Sequence, residues 1–127
     1  MTVEAAEATF RRLTIGEPGL ITALADRDGR GRDLRRLDPR TASLLQVGAL
    51  IALDAPEPAY RTAVDDALRV GADIEDLLAA LLAVAEQVGY ARVIGAAPRI
   101  ALAAGYDVES DLDRNEPADL REPAPRG

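Results

Sequence analysis

The chain has 127 residues, of which 48% are hydrophobic and 3% aromatic, and its formal net charge is −7. This length fits one hydrophobic core better than two ordinary domains, and the negative charge disfavours a nucleic acid partner, because phosphate binding draws on clustered positive charge. Cysteine, histidine and lysine are all missing, which excludes disulfides, thiolate chemistry, an imidazole base and a lysine Schiff base, so we expect no metal and no cofactor.

The hydropathy pattern and the N-terminus predict the location of the protein. No apolar stretch approaches the roughly 20 residues that a membrane span needs. Glu4 and Glu7 lie where a signal peptide would be basic and then apolar. We therefore expect a cytoplasmic protein without a membrane partner.

Two helices and a charged loop are predicted in the first 36 residues. Thr2 is a good N-cap residue, and the helix behind it has an apolar stripe at helical spacing, formed by Val3, Ala6, Phe10 and Leu13. A second, short helix begins near Pro18 and ends by Asp26. Residues 27–33 are only glycine and charged residues, and this composition predicts an exposed loop more strongly than an anion site.

Four further helices are predicted between residues 37 and 106. Asp38 and Pro39 begin a helix that runs to about Leu53, and Gln46 is its only polar side chain after residue 43. A helix that is apolar all round must be buried on every side. The next helix begins near residue 57 and ends at Gly71.

The last two predicted helices are also rich in apolar residues. Asp73 and Asp76 have the spacing of a capping box, and the helix that they begin runs to Val88. The final helix covers residues 90–104 and contains Pro98 as a potential kink. The sequence thus predicts an all-α bundle of about six helices, with an N-terminal part (1–36), a core (37–113) and a proline-rich, disordered tail (114–127).

The amount of apolar surface predicts self-association. Three consecutive helices are apolar around most of their circumference, and a chain this small cannot cover all of them. A closed homo-oligomer, with more than about 2,000 Å² buried per pair of subunits, is the common solution.

Several motifs resemble the carboxymuconolactone decarboxylase and alkyl hydroperoxidase D family over residues 37–106. They are Leu37-Asp38-Pro39-Arg40-Thr41, Ala67-Leu68-Arg69-Val70-Gly71-Ala72 and Val88-Gly89-Tyr90-Ala91-Arg92, in that order. The resemblance implies an all-helical subunit that assembles as a trimer or a hexamer, in a cysteine-free branch of the family.

The chemistry of that family is not implied, because its reactive residues are replaced here. The family's Cys-x-x-Cys-x-x-x-His pattern would fall at Pro56, Ala59 and Ala63, and an acid that members carry would fall at Ser43. The decarboxylating branch places a histidine at the position of Ala63. We therefore expect no peroxide reduction with dithiol donors.

Six residues remain as candidates for a site, each with a plainer structural alternative. Glu86 follows an apolar stretch, where desolvation would shift the pKa of a carboxyl as a general acid or base requires. A glutamate at an exposed helix end is the commoner case. Tyr60 and Tyr90 could carry protons, although aromatic residues at helical spacing usually belong to a core. Candidate ligand-binding residues are Ser43, Gln46 and Arg92.

Two functions are consistent with the sequence. One is a protein that lacks peroxidase activity and binds a small molecule or simply assembles. The alternative is a cofactor-free decarboxylase or isomerase, with Glu86 and a tyrosine as proton carriers, acting on a small organic acid or lactone. A cavity joining Ser43, Gln46, Tyr60 and Glu86 would favour catalysis or binding, whereas a filled apolar core would favour assembly.

Overall fold

The computed structural model describes residues 2–25 and 37–106. Within these ranges all regular structure is helical, which confirms the predicted all-α class. The helices are α1 (Val3–Thr14), α2 (Leu20–Ala25), α3 (Pro39–Ala52), α4 (Glu57–Arg69), α5 (Ile74–Ala83), α6 (Ala85–Val88) and α7 (Tyr90–Ala103). The predicted loop after residue 26 and the predicted tail lie outside the described residues. None of the described helices is both long and apolar enough to cross a membrane.

The chain divides into two compact units, Met1–Asp38 and Pro39–Gly127, here called the N-terminal unit and the core unit. In the N-terminal unit the Thr2 hydroxyl accepts a hydrogen bond from the backbone N–H of Ala5 at 3.1 Å, as the predicted N-cap requires. No residue of α1 is buried, and α2 buries only Leu20. The described part of this unit is therefore helical without a core of its own.

The core unit packs α3, α4, α5 and α7 around one apolar cluster. Each of the four helices contributes side chains at helical spacing, and the buried residues are Val47, Ile51, Ala55, Tyr60, Val64, Ala67, Ala72, Leu77, Leu81, Ala96 and Ile100. Leu50, Ala59 and Ala63 pack partly buried against this cluster. The core is therefore filled by aliphatic side chains and the ring of Tyr60.

The expectation that α3 is buried on every side is not met within one chain. Its buried residues are Ser43, Val47, Gly48 and Ile51, which lie on one side of the helix. Gln46, Leu45 and the following Leu53 are exposed. A helix can be apolar all round and still contact its own chain on one side only, so this pattern did not reveal which side faces inward.

The fifth predicted helix is interrupted, which gives seven described helices where about six were expected. The capping box of Asp73 and Asp76 is confirmed, with both reciprocal hydrogen bonds present. The helix stops at Val84 and resumes as the short α6. Here a Cβ on Gly48 would lie 3.2 Å from Cγ1 of Val84, so the break coincides with a close approach to α3. That approach depends on tertiary packing and has no local signal.

An ion pair joins the beginnings of α3 and α5. Arg40 donates from Nε to Oδ2 of Asp76 at 3.1 Å, and its Nη2 pairs with Oδ1 of the same carboxylate. Asp76 also accepts a hydrogen bond from the backbone N–H of Asp73. Because the contact is bidentate, it fixes the relative orientation of the two side chains and also pairs their charges. It therefore sets the register between the starts of the two helices.

Candidate functional site: an apolar groove between α5 and α7

A groove of about 630 Å³ runs between α5 and α7. Both helices contribute apolar side chains three, four or seven residues apart, which therefore share one helix face. The lining residues are Ile74, Glu75, Leu77, Leu78, Leu81, Ile94, Ala97, Pro98, Ile100, Ala101 and Tyr106. Because Leu77, Leu81 and Ile100 are buried in the core, the floor of the groove is the outer side of the core itself.

The rim of the groove is apolar and open. Leu78 is 53% exposed and Ile94 is 72% exposed, and Leu82, one turn after Leu78, is 61% exposed. Scattered apolar side chains on a surface are ordinary, whereas a contiguous cluster marks a site for a protein, membrane or ligand contact. These side chains lie together on neighbouring helices, so they form such a cluster.

The groove offers little chemistry beyond apolar contact. Among the described residues of its lining, Glu75, in the first turn of α5, is the one that is charged, and Tyr106 supplies a phenol. Two such groups can orient a bound molecule or a partner. Glu75 disfavours a carboxylate ligand by charge repulsion.

The six residues singled out from the sequence do not line this groove. Ser43 and Tyr60 are buried, on α3 and α4 respectively. Gln46, Glu86, Tyr90 and Arg92 are exposed in the single chain. The desolvation on which a catalytic role for Glu86 depends is therefore not supplied by this chain alone.

Two arginines of α7 bind the end of α3 and the turn that follows it. Arg92 donates from Nη1 to the backbone oxygen of Ala52 at 2.6 Å, and Arg99 donates to that of Ala55 at 3.1 Å. Positive charge at a helix C-terminus satisfies orphan carbonyls and complements the helix dipole. The structure thus gives Arg92, predicted as a ligand-binding residue, a contact within its own chain.

Tyr60 lies close to this arginine contact. Burial raises the pKa of its phenol above the ordinary value, Arg99 acts in the opposite direction, and Asp54 adds to the rise. At neutral pH the phenol is therefore protonated, and it can donate a hydrogen bond but cannot act as a base. This property fits a core residue with its hydroxyl at the rim.

The positions that would carry cysteine and histidine in the family that the sequence motifs resemble fall on α4 and just before it. Pro56 is the exposed residue before the helix, and Ala59 and Ala63 pack partly buried against the core. These side chains are small and apolar, so no reactive group takes the place of the missing ones.

Sequence reasoning missed the groove, although its signal was present. The apolar residues of α5 include both the buried Leu77 and Leu81 and the exposed Leu78 and Leu82. Two adjacent leucine stripes exceed what one core-facing side needs. Their excess predicted self-association, but only the packing of α5 beside α7 shows where the surplus surface lies.

A metal site would need several acidic side chains close together. In residues 2–25 and 37–106 no group of three or more acidic side chains is placed to hold a metal ion. Comparison with known protein families, with curated proteins and with solved structures gives no match for this chain. The groove and the motif pattern therefore carry the functional argument.

Proposed function

We propose that this chain is a cysteine-free assembly protein related to the carboxymuconolactone decarboxylase and alkyl hydroperoxidase D family, whose copies bind one another through the α5–α7 face. One observation carries the proposal: Leu78, Leu82 and Ile94 stay exposed together beside an apolar groove in the single chain. Burying such a cluster against another subunit removes its contact with water. The family relation is supported by the order of the motifs between residues 37 and 106.

The assembly is expected to be a closed homo-oligomer, either a trimer or a hexamer as the family resemblance implies. A cytoplasmic location is part of the same proposal. The acid–base enzyme is the weaker candidate. Glu86 and Tyr90 are exposed in the single chain while Tyr60 is buried.

A second candidate function is the binding of a small apolar molecule in the groove. Its volume of about 630 Å³ falls within the range of roughly 300–1,000 Å³ that is typical of small-molecule sites. The chemistry of the lining favours a neutral apolar compound over the organic acid or lactone expected from the family. A thermal-shift screen tests this, since a ligand at about 100 times its dissociation constant stabilises by about 2.7 kcal/mol.

The assembly proposal is tested by placing a charge at the centre of the groove rim. Ile94→Arg puts a guanidinium where a partner would desolvate it, so the oligomer is expected to dissociate or the chain to aggregate. Leu53→Arg is the matched control, because Leu53 is 75% exposed against 72% for Ile94 and lies outside the groove lining. Light scattering coupled to gel filtration measures the mass of each variant.

The expected result is an oligomer for the unmodified chain and for Leu53→Arg, and loss of that oligomer for Ile94→Arg. A monodisperse monomer for the unmodified chain would show that the apolar face is not an interface between copies. An unchanged oligomer in Ile94→Arg would place the interface elsewhere.

A further inference from the structure

We propose that the occupant of the α5–α7 groove is helix α1 of a second copy of this chain. This inference rests on the proposed function, because it names the part of the partner copy that the groove binds. Four features of the chain support it: α1 is amphipathic but not buried, its length is close to that of the groove, its charges complement those at the groove, and both α1 and the groove rim are exposed.

Helix α1 is amphipathic but buries nothing. Val3, Ala6, Phe10 and Leu13 recur along one side of it, and Phe10, the only phenylalanine of the chain, is 69% exposed. A helix of 12 residues is marginal in water unless an apolar side packs against a partner. The well-formed α1 therefore requires a covering surface.

The groove fits a helix of this size. At about 1.5 Å per residue α1 is about 18 Å long, and α5, which forms one wall of the groove, is about 15 Å long. Recognition of an amphipathic helix in an apolar groove uses side chains at this spacing as anchors. The apolar stripe of α1 thus has the spacing and the length that the groove can accept.

The charges at the two sites predict an orientation. Arg11 and Arg12 lie in the last turn of α1, and Glu75 lies in the groove at the first turn of α5. Arg12 already donates to Glu17 at 2.7 Å. Arg11 lies about 100° around α1 from Phe10, so its long side chain would reach Glu75 along the flank of the contact. An exposed ion pair of this kind adds little affinity, but it aligns the C-terminus of α1 with the N-terminus of α5.

A second copy covers both surfaces at once. In the single chain Phe10 and Ile94 are both exposed. When two copies exchange α1 reciprocally about a twofold axis, two grooves and two helices are buried by one repeated contact. The same contact can recur within a larger closed assembly, so it is compatible with a hexamer of three such pairs.

Because the chain contains no cysteine, single thiols can be introduced without background. Phe10→Cys and Ile94→Cys chains with tags of different mass are mixed, allowed to exchange and treated with a short bis-maleimide, which tolerates more distance than the strict geometry of a disulfide. The matched control replaces Ile94→Cys with Leu53→Cys. The expected product is the cross-linked pair of Phe10→Cys and Ile94→Cys chains, in at least roughly tenfold excess over the control pair, since thiols held within one complex have a millimolar effective concentration.

Three outcomes would overturn the proposal: equal cross-linking of the control pair, a dominant Ile94→Cys homodimer, or closure within a single Phe10→Cys/Ile94→Cys chain at high dilution. The homodimer would indicate a face-to-face contact, and the closure would indicate that α1 binds its own chain. If the unmodified chain is an oligomer but no specific cross-link forms, this inference fails and the proposed function stands. A monomer contradicts both.

Phe10→Trp gives a second readout that keeps the apolar anchor. The chain has no tryptophan, so the introduced indole reports on α1 alone. Its emission is expected to lie at shorter wavelength in the oligomer and to shift to longer wavelength when Ile94→Arg is added. Emission typical of exposed indole in the intact oligomer would overturn the proposal.

Discussion

The two units of this chain contain similarly well-formed helices but differ in what holds them. Helices of the core unit surround a cluster of eleven buried residues among those that the structure describes, whereas the described part of the N-terminal unit buries only Leu20. Both units use the same local devices: Thr2 caps α1 and Asp73 caps α5. Capping and periodicity thus produce helices in both places, and burial distinguishes the core unit from the exposed helices of the N-terminal unit.

The largest expected difference is in the response to loss of a buried leucine. Leu77→Ala removes a fully buried side chain from the core and is expected to lower the free energy of unfolding by about 2–5 kcal/mol. Leu20→Ala is the matched change in the N-terminal unit. We expect it to leave the unfolding midpoint of the core unit nearly unchanged in urea denaturation followed by circular dichroism. Equal losses would show that the two units unfold as one.

A smaller difference is expected from the two helix caps. Asp73→Ala removes the acceptor for the backbone N–H of Asp76 and is expected to cost about 1 kcal/mol of stability. Thr2→Ala removes the equivalent acceptor in α1 and, at protein concentrations low enough to dissociate any oligomer, should reduce the helical signal without moving the main unfolding transition. If Thr2→Ala shifts that transition as much as Asp73→Ala does, α1 is coupled to the core more tightly than its burial indicates.

The smallest expected effect is a change in how the stability of the core unit depends on acidic pH. The hydrogen bond from Arg40 is the main cause that lowers the pKa of the Asp76 carboxyl, and the backbone N–H of Asp73 adds to it. Because the folded-state pKa is lowered, the ionised carboxyl stabilises the fold at pH values above its ordinary pKa of about 3.9. This contribution is lost as the pH falls through the lowered pKa. Between about pH 6 and about pH 3, Asp76→Asn should therefore lose less stability than the unmodified chain. Identical losses in urea titrations would contradict a role for this carboxyl.

Most helix boundaries could be predicted from local chemistry. Pro39, the Asp73–Asp76 pair and the glycines at 71 and 89 all lie where the structure begins or ends a helix, and both glycines have a positive φ. These signals depend only on residues that are close in the sequence, so they can be recognised without knowing which helices pack together. The break at Val84 has no such signal, because it coincides with a close contact to Gly48 on another helix.

The candidate site was much harder to predict. Glu86 and Gln46 were predicted as site residues because they interrupt apolar stretches, yet both are exposed in the single chain. The groove was missed because it is made of leucine, isoleucine and alanine, which in a sequence look the same as a core.

By itself the sequence determined the all-helical class, the caps and the absence of thiol and imidazole chemistry, since these depend on residue identity and on spacing within one segment. Only the tertiary structure decided which side of each apolar helix faces inward. It left Leu78 and Ile94 exposed while burying Leu77 and Ile100. The physical reason is that burial depends on which helices are neighbours, and helices such as α5 and α7 come together through contacts between residues distant in the chain.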